Sequence, residues 1–194
     1  YSAANGNHYE GVFSDGKLNG QGKFRSSLGE TYVGEWKEGR MNGQGLYTFA
    51  NGNRYDGDWL DDKRTGFGIY TFINGNAYEG MFVDGKRDGD GTFLHANGDI
   101  YIGEWTKGMM DGQGNYSYAN GDMYVGQWTN DKMDGQGIFT YSDGKEYDGT
   151  FADGRLEGQG TFSYANGDRY SGYWQDGKME GRGTFSDANG NVYD

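Results

Sequence analysis

A 23-residue period runs through this chain of 194 residues without an insertion or a deletion. The pair Tyr-x-Gly recurs once in every period, and we number positions as offsets from its tyrosine, which is offset 0. The eight tyrosines at offset 0 are Tyr9, Tyr32, Tyr55, Tyr78, Tyr101, Tyr124, Tyr147 and Tyr170. A strict period of this length indicates a repeat architecture, in which each copy is a small supersecondary unit that packs on its neighbours.

The period predicts one repeat array over residues 1–194. The expected units are a partial unit at 1–8, eight repeats at 9–31, 32–54, 55–77, 78–100, 101–123, 124–146, 147–169 and 170–192, and the start of a further unit at 193–194. The chain begins and ends within a unit, so we expect that it could belong to a longer array with another domain.

Glycine and aromatic residues follow the period closely. Of the 39 glycines, 38 fall at offsets 2, 7, 11, 13 and 20 of the eight repeats, and offsets 0, 4 and 15 are always aromatic. Side chains alternate between the two faces of a β-strand, so offsets 0, 2 and 4 share one face, as do offsets 13, 15 and 17. Each repeat is therefore predicted to contain two short strands. The glycines at offsets 2 and 13 lack a Cβ and leave room for aromatic rings to pack over the backbone.

Two kinds of turn connect these strands. Within a repeat the linker is usually an acidic residue, glycine and a basic residue, and only Asp62 and Asp131 replace the glycine at offset 7. This substitution predicts a positive φ at offset 7, which Gly adopts freely and Asp adopts better than most residues. Between repeats the linker is usually Asn-Gly, a strong signal for a hairpin.

The predicted fold is all-β, an elongated single-layer antiparallel sheet of stacked β-hairpins. Proline is absent, as expected where nearly every backbone N–H is needed for the ladder. Sixteen strands at about 4.8 Å spacing would extend roughly 75 Å, and strand twist would give a twisted rod or trough.

The unit Y-x-G-x-W…G-K…G-x-G…Y…N-G, seen from Tyr32 to Gly52, resembles the MORN (membrane occupation and recognition nexus) repeat. The resemblance covers the whole chain. It implies stacked hairpins with an aromatic groove and relatives that include cytoskeletal scaffolds, radial-spoke proteins of cilia, junctophilins and arrays attached to phosphoinositide kinases.

The residues do not predict catalysis. Cysteine is absent, and the two histidines, His8 and His95, lie nearly four repeats apart, so no transition-metal site is expected. Most carboxylates recur at loop offsets, whereas a catalytic group needs a singular, perturbed pocket. We therefore expect no enzyme, no cofactor and no metal, and the net charge of −12 argues against nucleic acid as a partner.

A basic stripe at offset 8 leaves a lipid-binding alternative open. Its members are Lys17, Arg40, Lys63, Lys86, Lys132, Arg155 and Lys178, with Met109 as the exception. Acidic residues at offsets 6 and 10 flank the stripe, which favours a charge-balanced solvated edge. Membrane lipid remains an alternative that the net charge disfavours, because polybasic attraction requires a cluster of net positive charge.

The aromatic face is the stronger candidate for binding, because a single-layer sheet must cover its apolar face. We expect it to bind a partner through Tyr32, Trp36, Tyr55, Trp59, Tyr78, Phe82, Tyr101, Trp105, Tyr124, Trp128, Tyr170 and Trp174. The alternative is that the rings only pack on each other.

Repeats three and four depart from the pattern. Arg64 and Arg87 stand where other repeats have Leu or Met, Phe67 replaces a common Gln, and His95 replaces a common aromatic residue. Repeat arrays can place partner specificity in such positions, and neutral drift is the alternative.

The sequence therefore predicts a non-enzymatic scaffold and protein-interaction module, cytoskeletal or ciliary. It would self-associate as a homodimer, also end-to-end through exposed strand edges, or bind a partner helix or peptide along the groove. The alternative is a phosphoinositide-binding module that regulates an attached enzyme. The expected location is cytoplasmic, associated with the cytoskeleton or adjacent to a membrane.

Overall fold

A computed structural model describes residues 1–194, which form seventeen β-strands and no helix. The chain divides into two compact halves, residues 1–96 and residues 97–194. No segment forms a helix that is long and apolar enough to span a bilayer. The all-β hairpin-repeat fold predicted from the period is confirmed.

The N-terminal half contains eight strands in which each strand pairs antiparallel with the next. They are β1 His8–Ser14, β2 Lys17–Arg25, β3 Thr31–Lys37, β4 Arg40–Thr48, β5 Arg54–Leu60, β6 Lys63–Thr71, β7 Ala77–Val83 and β8 Lys86–Leu94.

The C-terminal half repeats this arrangement, and its consecutive strands are again antiparallel. They are β9 Ile100–Thr106, β10 Met109–Ser117, β11 Met123–Thr129, β12 Lys132–Thr140, β13 Glu146–Ala152, β14 Arg155–Ser163, β15 Arg169–Gln175, β16 Lys178–Ser186 and β17 Val192–Tyr193.

Paired glycines make room for the tyrosine at offset 0. Gly57 and Gly68 lie opposite each other on β5 and β6, and a Cβ added to Gly68 would lie 2.5 Å from Cε2 and 2.6 Å from Cζ of Tyr55. The ring of Tyr55 therefore crosses its own hairpin directly over the backbone. Its hydroxyl donates a hydrogen bond to the carbonyl oxygen of Asp58 at 3.0 Å. The predicted role of these glycines is confirmed.

The turn within each repeat has two residues with positive φ. Asp15 and Gly16 have φ values of 50° and 74°, and Asp61 and Asp62 have 48° and 66°. The expectation for offset 7 is confirmed, and offset 6 shares the same left-handed conformation. Two consecutive positive φ values define a type I′ turn, whose twist matches that of the flanking strands.

A β-bulge interrupts every complete hairpin and explains the glycine at offset 11. In β3 and β4, Gly34 pairs with Gly45 and Trp36 with Met41, so residues 42–44 face one residue on β3. Gly43 lies within this bulge at a φ of 70°. The bulge lets the strands bend locally, because β4 has more residues than β3 across this stretch.

The Asn-Gly linkers form longer loops than a two-residue hairpin. Five residues, 49–53, separate β4 from β5. Within this loop the N–H of Gly52 donates to the carbonyl oxygen of Phe49 at 2.9 Å. The side chain of Asn53 accepts a hydrogen bond from the N–H of Ile73 at 2.9 Å, which ties one loop to the equivalent loop of the next repeat.

Candidate functional site

The rings at offsets 0 and 4 form the hydrophobic core of each half. Of the twelve aromatic residues predicted to bind a partner, eleven are buried within the chain and Tyr170 is half-buried. The buried ones are Tyr32, Trp36, Tyr55, Trp59, Tyr78, Phe82, Tyr101, Trp105, Tyr124, Trp128 and Trp174. These rings therefore expose little of their surface on the face that they occupy.

The core rings pack edge to face, as shown by Tyr55. Its ring centroid lies 5.2 Å from that of Trp59 at an interplanar angle of 85°, and 5.0 Å from that of Phe82 at 79°. This is the geometry that aromatic quadrupoles favour. The indole Nε1 of Trp59 donates to the carbonyl oxygen of Gly45 at 2.9 Å, so its polar atom is satisfied. Burial raises the pKa of the Tyr55 hydroxyl well above its ordinary value.

A second row of rings, at offsets 15 and 17, lies beside the core on the same face. We call it the side ladder. In the N-terminal half it comprises Tyr47, Phe49, Tyr70, Phe72, Phe93 and His95, with successive ring centroids 4.5–5.9 Å apart. In the C-terminal half it comprises Tyr116, Tyr118, Phe139, Tyr141, Phe162 and Tyr164, at 4.5–5.9 Å. All twelve side chains are half-buried except Phe93, which is buried.

The rings of the side ladder are not among the residues that the sequence predicts to bind a partner, although they recur with the 23-residue period. The signal was present, because offset 15 is aromatic in every repeat and offset 17 in five. Partial exposure distinguishes this row from the core row, and only the three-dimensional packing reveals that difference.

Two arginines insert their guanidinium groups among these rings. The Cζ of Arg64 lies 5.1 Å from the ring centroid of Tyr70 and 5.5 Å from that of Phe82, and Nη2 donates to the carbonyl oxygen of Gly85 at 2.6 Å. Arg87 lies 5.1 Å from the ring centroid of Phe93. Burial lowers the pKa of Arg64. Both guanidinium groups therefore place positive charge on the face that carries the aromatic rings.

The four predicted specificity positions divide between the two faces of the sheet. Arg64, Arg87 and His95 lie on the ring face, where His95 packs at 4.5 Å from Phe93. Phe67 lies on the opposite face, directly across from Met81, and both side chains are exposed. These positions therefore do not form one site.

The predicted charge balance at the turn edge is confirmed by ion pairs between consecutive repeats. Each joins a basic residue at offset 8 to an acidic residue at offset 6 of the next repeat. The pairs are Arg40–Asp61 at 3.5 Å, Lys63–Asp84 at 2.7 Å, Lys132–Asp153 at 2.6 Å and Arg155–Asp176 at 2.6 Å. The stripe is thus partly neutralised along its own edge.

The structure gathers no group of three or more His, Asp or Glu side chains that could hold a metal ion. His8 Nδ1 lies 2.8 Å from the hydroxyl of Ser2 on the N-terminal edge.

Three solved structures have a similar fold. The G-box domain of the microcephaly protein CPAP has a TM-score of 0.59 at 13% identity, with 97% of each chain covered. The TCP10 domain of Danio rerio CPAP has a TM-score of 0.54 at 16% identity, covering 100% of this chain and 96% of that one. The TCP domain of Drosophila melanogaster SAS-4, solved with a proline-rich motif of Ana2, has 0.51 at 15%, covering 78% and 82%.

At these identities the likeness concerns the fold alone. A comparison with curated proteins gave no match. The MORN repeat family matches the sequence eight times, at residues 9–27, 32–54, 55–77, 78–100, 101–123, 124–146, 147–169 and 170–192. Because these matches cover most of its length, the chain belongs to the MORN repeat family.

Proposed function

We propose that this protein is a non-enzymatic scaffold that holds a partner helix or extended peptide on its ring face. The observation that carries the proposal is the side ladder with its two inserted guanidinium groups. Half-buried tyrosine and phenylalanine rings offer a large apolar area at low entropic cost, and tyrosine adds a polar tip. A row of such rings provides a continuous surface within each half.

Arg64 and Arg87 would select the partner by charge. They occupy equivalent positions in consecutive repeats, which are separated by two strands, or about 9.6 Å. A partner with two carboxylates at a matching separation would gain charge-assisted hydrogen bonds to both groups. His95 lies at the end of the same ladder in the N-terminal half. We therefore assign partner specificity on this face to repeats three and four.

The fold comparison supports a role in protein binding. The Drosophila SAS-4 domain was solved with a proline-rich motif of Ana2, so a sheet of this fold is compatible with a peptide ligand. A cytoskeletal or ciliary setting, in the cytoplasm or next to a membrane, would agree with the scaffolds that MORN repeats resemble. Self-association as a homodimer through the open strand edges would serve the same scaffold role.

The test is a selection of peptides from a random display library against the wild-type chain, followed by affinity measurements on variants. Arg64→Met and Arg87→Met restore residue types found at offset 9 in other repeats. We expect the selected peptides to be acidic and aromatic or apolar, and to bind the double variant about tenfold more weakly. Lys63→Met, at the neighbouring turn edge, is the matched control and should leave affinity unchanged.

Peptides that bind the wild type and the double variant equally would refute the assignment of these arginines. The phosphoinositide alternative is tested with vesicles that contain phosphoinositide, because its binding would be sensitive to salt. The net charge of −12 disfavours it. Light scattering over a concentration series tests the homodimer, and a strict monomer would refute self-association.

A further inference from the structure

An apolar patch interrupts the face opposite the rings. Phe67 on β6 lies directly across from Met81 on β7, and Ile69 and Val83 lie two residues further along their strands on the same face. Their side chains are 49%, 40%, 41% and 51% exposed, respectively. We call these four residues the outer patch.

The cross-strand pair at the centre of the outer patch includes a glutamine at the equivalent junctions within the two halves. The equivalent pairs are Gln21–Glu35, Gln44–Asp58, Gln113–Gln127, Gln136–Thr150 and Gln159–Tyr173. Of these junctions, the one between β6 and β7 is the one at which neither member of the pair has a polar side chain. The backbone is the same at each junction, so the fold does not require the apolar pair.

Four carboxylates frame the outer patch. Asp56 and Glu79 lie directly across from Ile69 on the two neighbouring strands. Asp58 accepts a hydrogen bond from the N–H of Phe67 at 3.0 Å. Asp90 belongs to a bulge on β8, residues 88–90, and this bulge lies across from Met81 of β7.

Three cations lie near this frame. Lys86 on β8 is directly across from Val83, and Arg54 on β5 is two residues from Asp56. Lys63, at the turn end of β6, already pairs with Asp84 at 2.7 Å. The patch therefore combines an apolar centre with a rim in which four carboxylates outnumber Arg54 and Lys86, and such an apolar core with a polar border is the arrangement of an interface.

We propose that the outer patch is a second docking site and that it binds a basic amphipathic helix. An amphipathic helix places apolar residues at i, i+3, i+4 and i+7 on one stripe, which matches a compact apolar centre. Lysine and arginine residues beside that stripe would lie over the acidic frame. Their long side chains can cover apolar surface while their charges reach the carboxylates.

The charge of the frame argues against two other occupants. A second copy of the chain would bring its own four carboxylates against the first set, and like charges across an interface are unfavourable. An anionic membrane surface would be repelled for the same reason. A basic partner is the occupant that turns the frame into an attractive contact. This surface is independent of the ring face, so both could be occupied at once.

The test uses a synthetic helix of leucine and lysine, about 18 residues long so that it can hold helical structure in water. Its leucines form one stripe, and a scrambled peptide of identical composition is the first control. Binding to the full chain is measured by fluorescence anisotropy and mapped by amide hydrogen exchange. Two variants test the site: Phe67→Gln with Met81→Gln, and Asp56→Asn with Glu79→Gln and Asp90→Gln.

The matched control variant is Val125→Thr with Ile138→Thr. These two residues form another cross-strand pair, each 39% exposed, in the C-terminal half. We expect each test variant to bind the helix about tenfold more weakly, the control to bind as the wild type does, and protection to fall on β6 and β7. Each of three results would overturn the proposal. The first is an unchanged affinity of the variant Phe67→Gln with Met81→Gln for the helix. The second is equal binding of the scrambled peptide. The third is self-association of the wild-type chain that is abolished in the variant Phe67→Gln with Met81→Gln.

Discussion

Replacing Gly68 by alanine tests whether the close contact between glycine and tyrosine holds the repeat together. The backbone of Gly68 has an ordinary β conformation, since its φ is not positive, so the substitution acts through space alone. The new Cβ would lie 2.5 Å from Cε2 and 2.6 Å from Cζ of Tyr55, and Cβ atoms essentially never approach another heavy atom within 3.0 Å. Tyr55 must therefore move.

The expected cost follows from what Tyr55 would lose. It has no exposed surface and packs edge to face on Trp59 and Phe82, so forcing it aside costs about 1–3 kcal/mol as overpacking. Its hydroxyl would also leave the carbonyl of Asp58, which costs about 1 kcal/mol more. We therefore expect Gly68→Ala to lower the free energy of unfolding by about 2–4 kcal/mol.

Urea unfolding followed by tryptophan fluorescence measures this loss, and a double-mutant cycle identifies its cause. Tyr55→Leu removes the atoms that the Cβ would meet, so Gly68→Ala should cost less than about 1 kcal/mol in that background. Gly154→Asp is the control for glycine substitution, because nothing lies within 4 Å of its Cβ and Asp occurs at this offset elsewhere. Additive effects of the two substitutions would refute the steric explanation.

Two further predictions concern ionisation. Burial raises the pKa of Tyr78 from 10.0 to about 12, so the neutral phenol favours the folded state. The stability that this group contributes is complete below pH 10 and should be lost as the pH rises from 10 towards 12. An alkaline titration should show buried phenolate forming together with loss of β-sheet ellipticity, and full ionisation near pH 10 with an intact sheet would contradict this. Lys63→Ala removes an exposed ion pair with Asp84 and should leave the urea midpoint unchanged. A clear decrease in the urea midpoint of Lys63→Ala, together with a similar decrease for the wild type in added salt, would show that the ion pair stabilises the fold.

The hairpin repeat could be predicted because its glycines and rings have separate geometric roles. Tyr55 needs a bare backbone beneath it, and the spacing of offsets 0, 2 and 13 encodes that need directly. The bulge at Gly43 was not predicted, although glycine occupies offset 11 in every repeat. Alternation alone treats a strand as regular, and a bulge changes the pairing without changing the period. The positive φ of Asp61 was missed because most residue types at offset 6 are also common in ordinary turns.

The candidate site was harder to predict because a single sheet uses the same residue types for its core and its surface. Tyr55 and Tyr70 lie on one face and in one repeat, yet Tyr55 is buried and Tyr70 is half-exposed. Tyr55 is core because it lies over paired glycines and packs between Trp59 and Phe82, which are contacts between strands that alternation along one strand does not specify. Arg64 and Phe67 are three residues apart, so alternation along a strand is enough to place them on opposite faces, as the structure has them.

The distribution of these residues separates stability from recognition within one repeat. Offsets 0, 2, 4 and 13 supply the buried rings and the bare backbone, and they keep the same residue class in every repeat. Offset 12 lies on the opposite face, and offset 9 packs against the core rings without entering the space beneath the tyrosine. Arg64 and Phe67 can therefore replace the residue types of other repeats while the hairpin keeps its register. A binding surface on either face can therefore change one repeat at a time without disturbing the fold. This independence explains how neighbouring repeats can present a cationic aromatic surface on one face and an acidic apolar surface on the other.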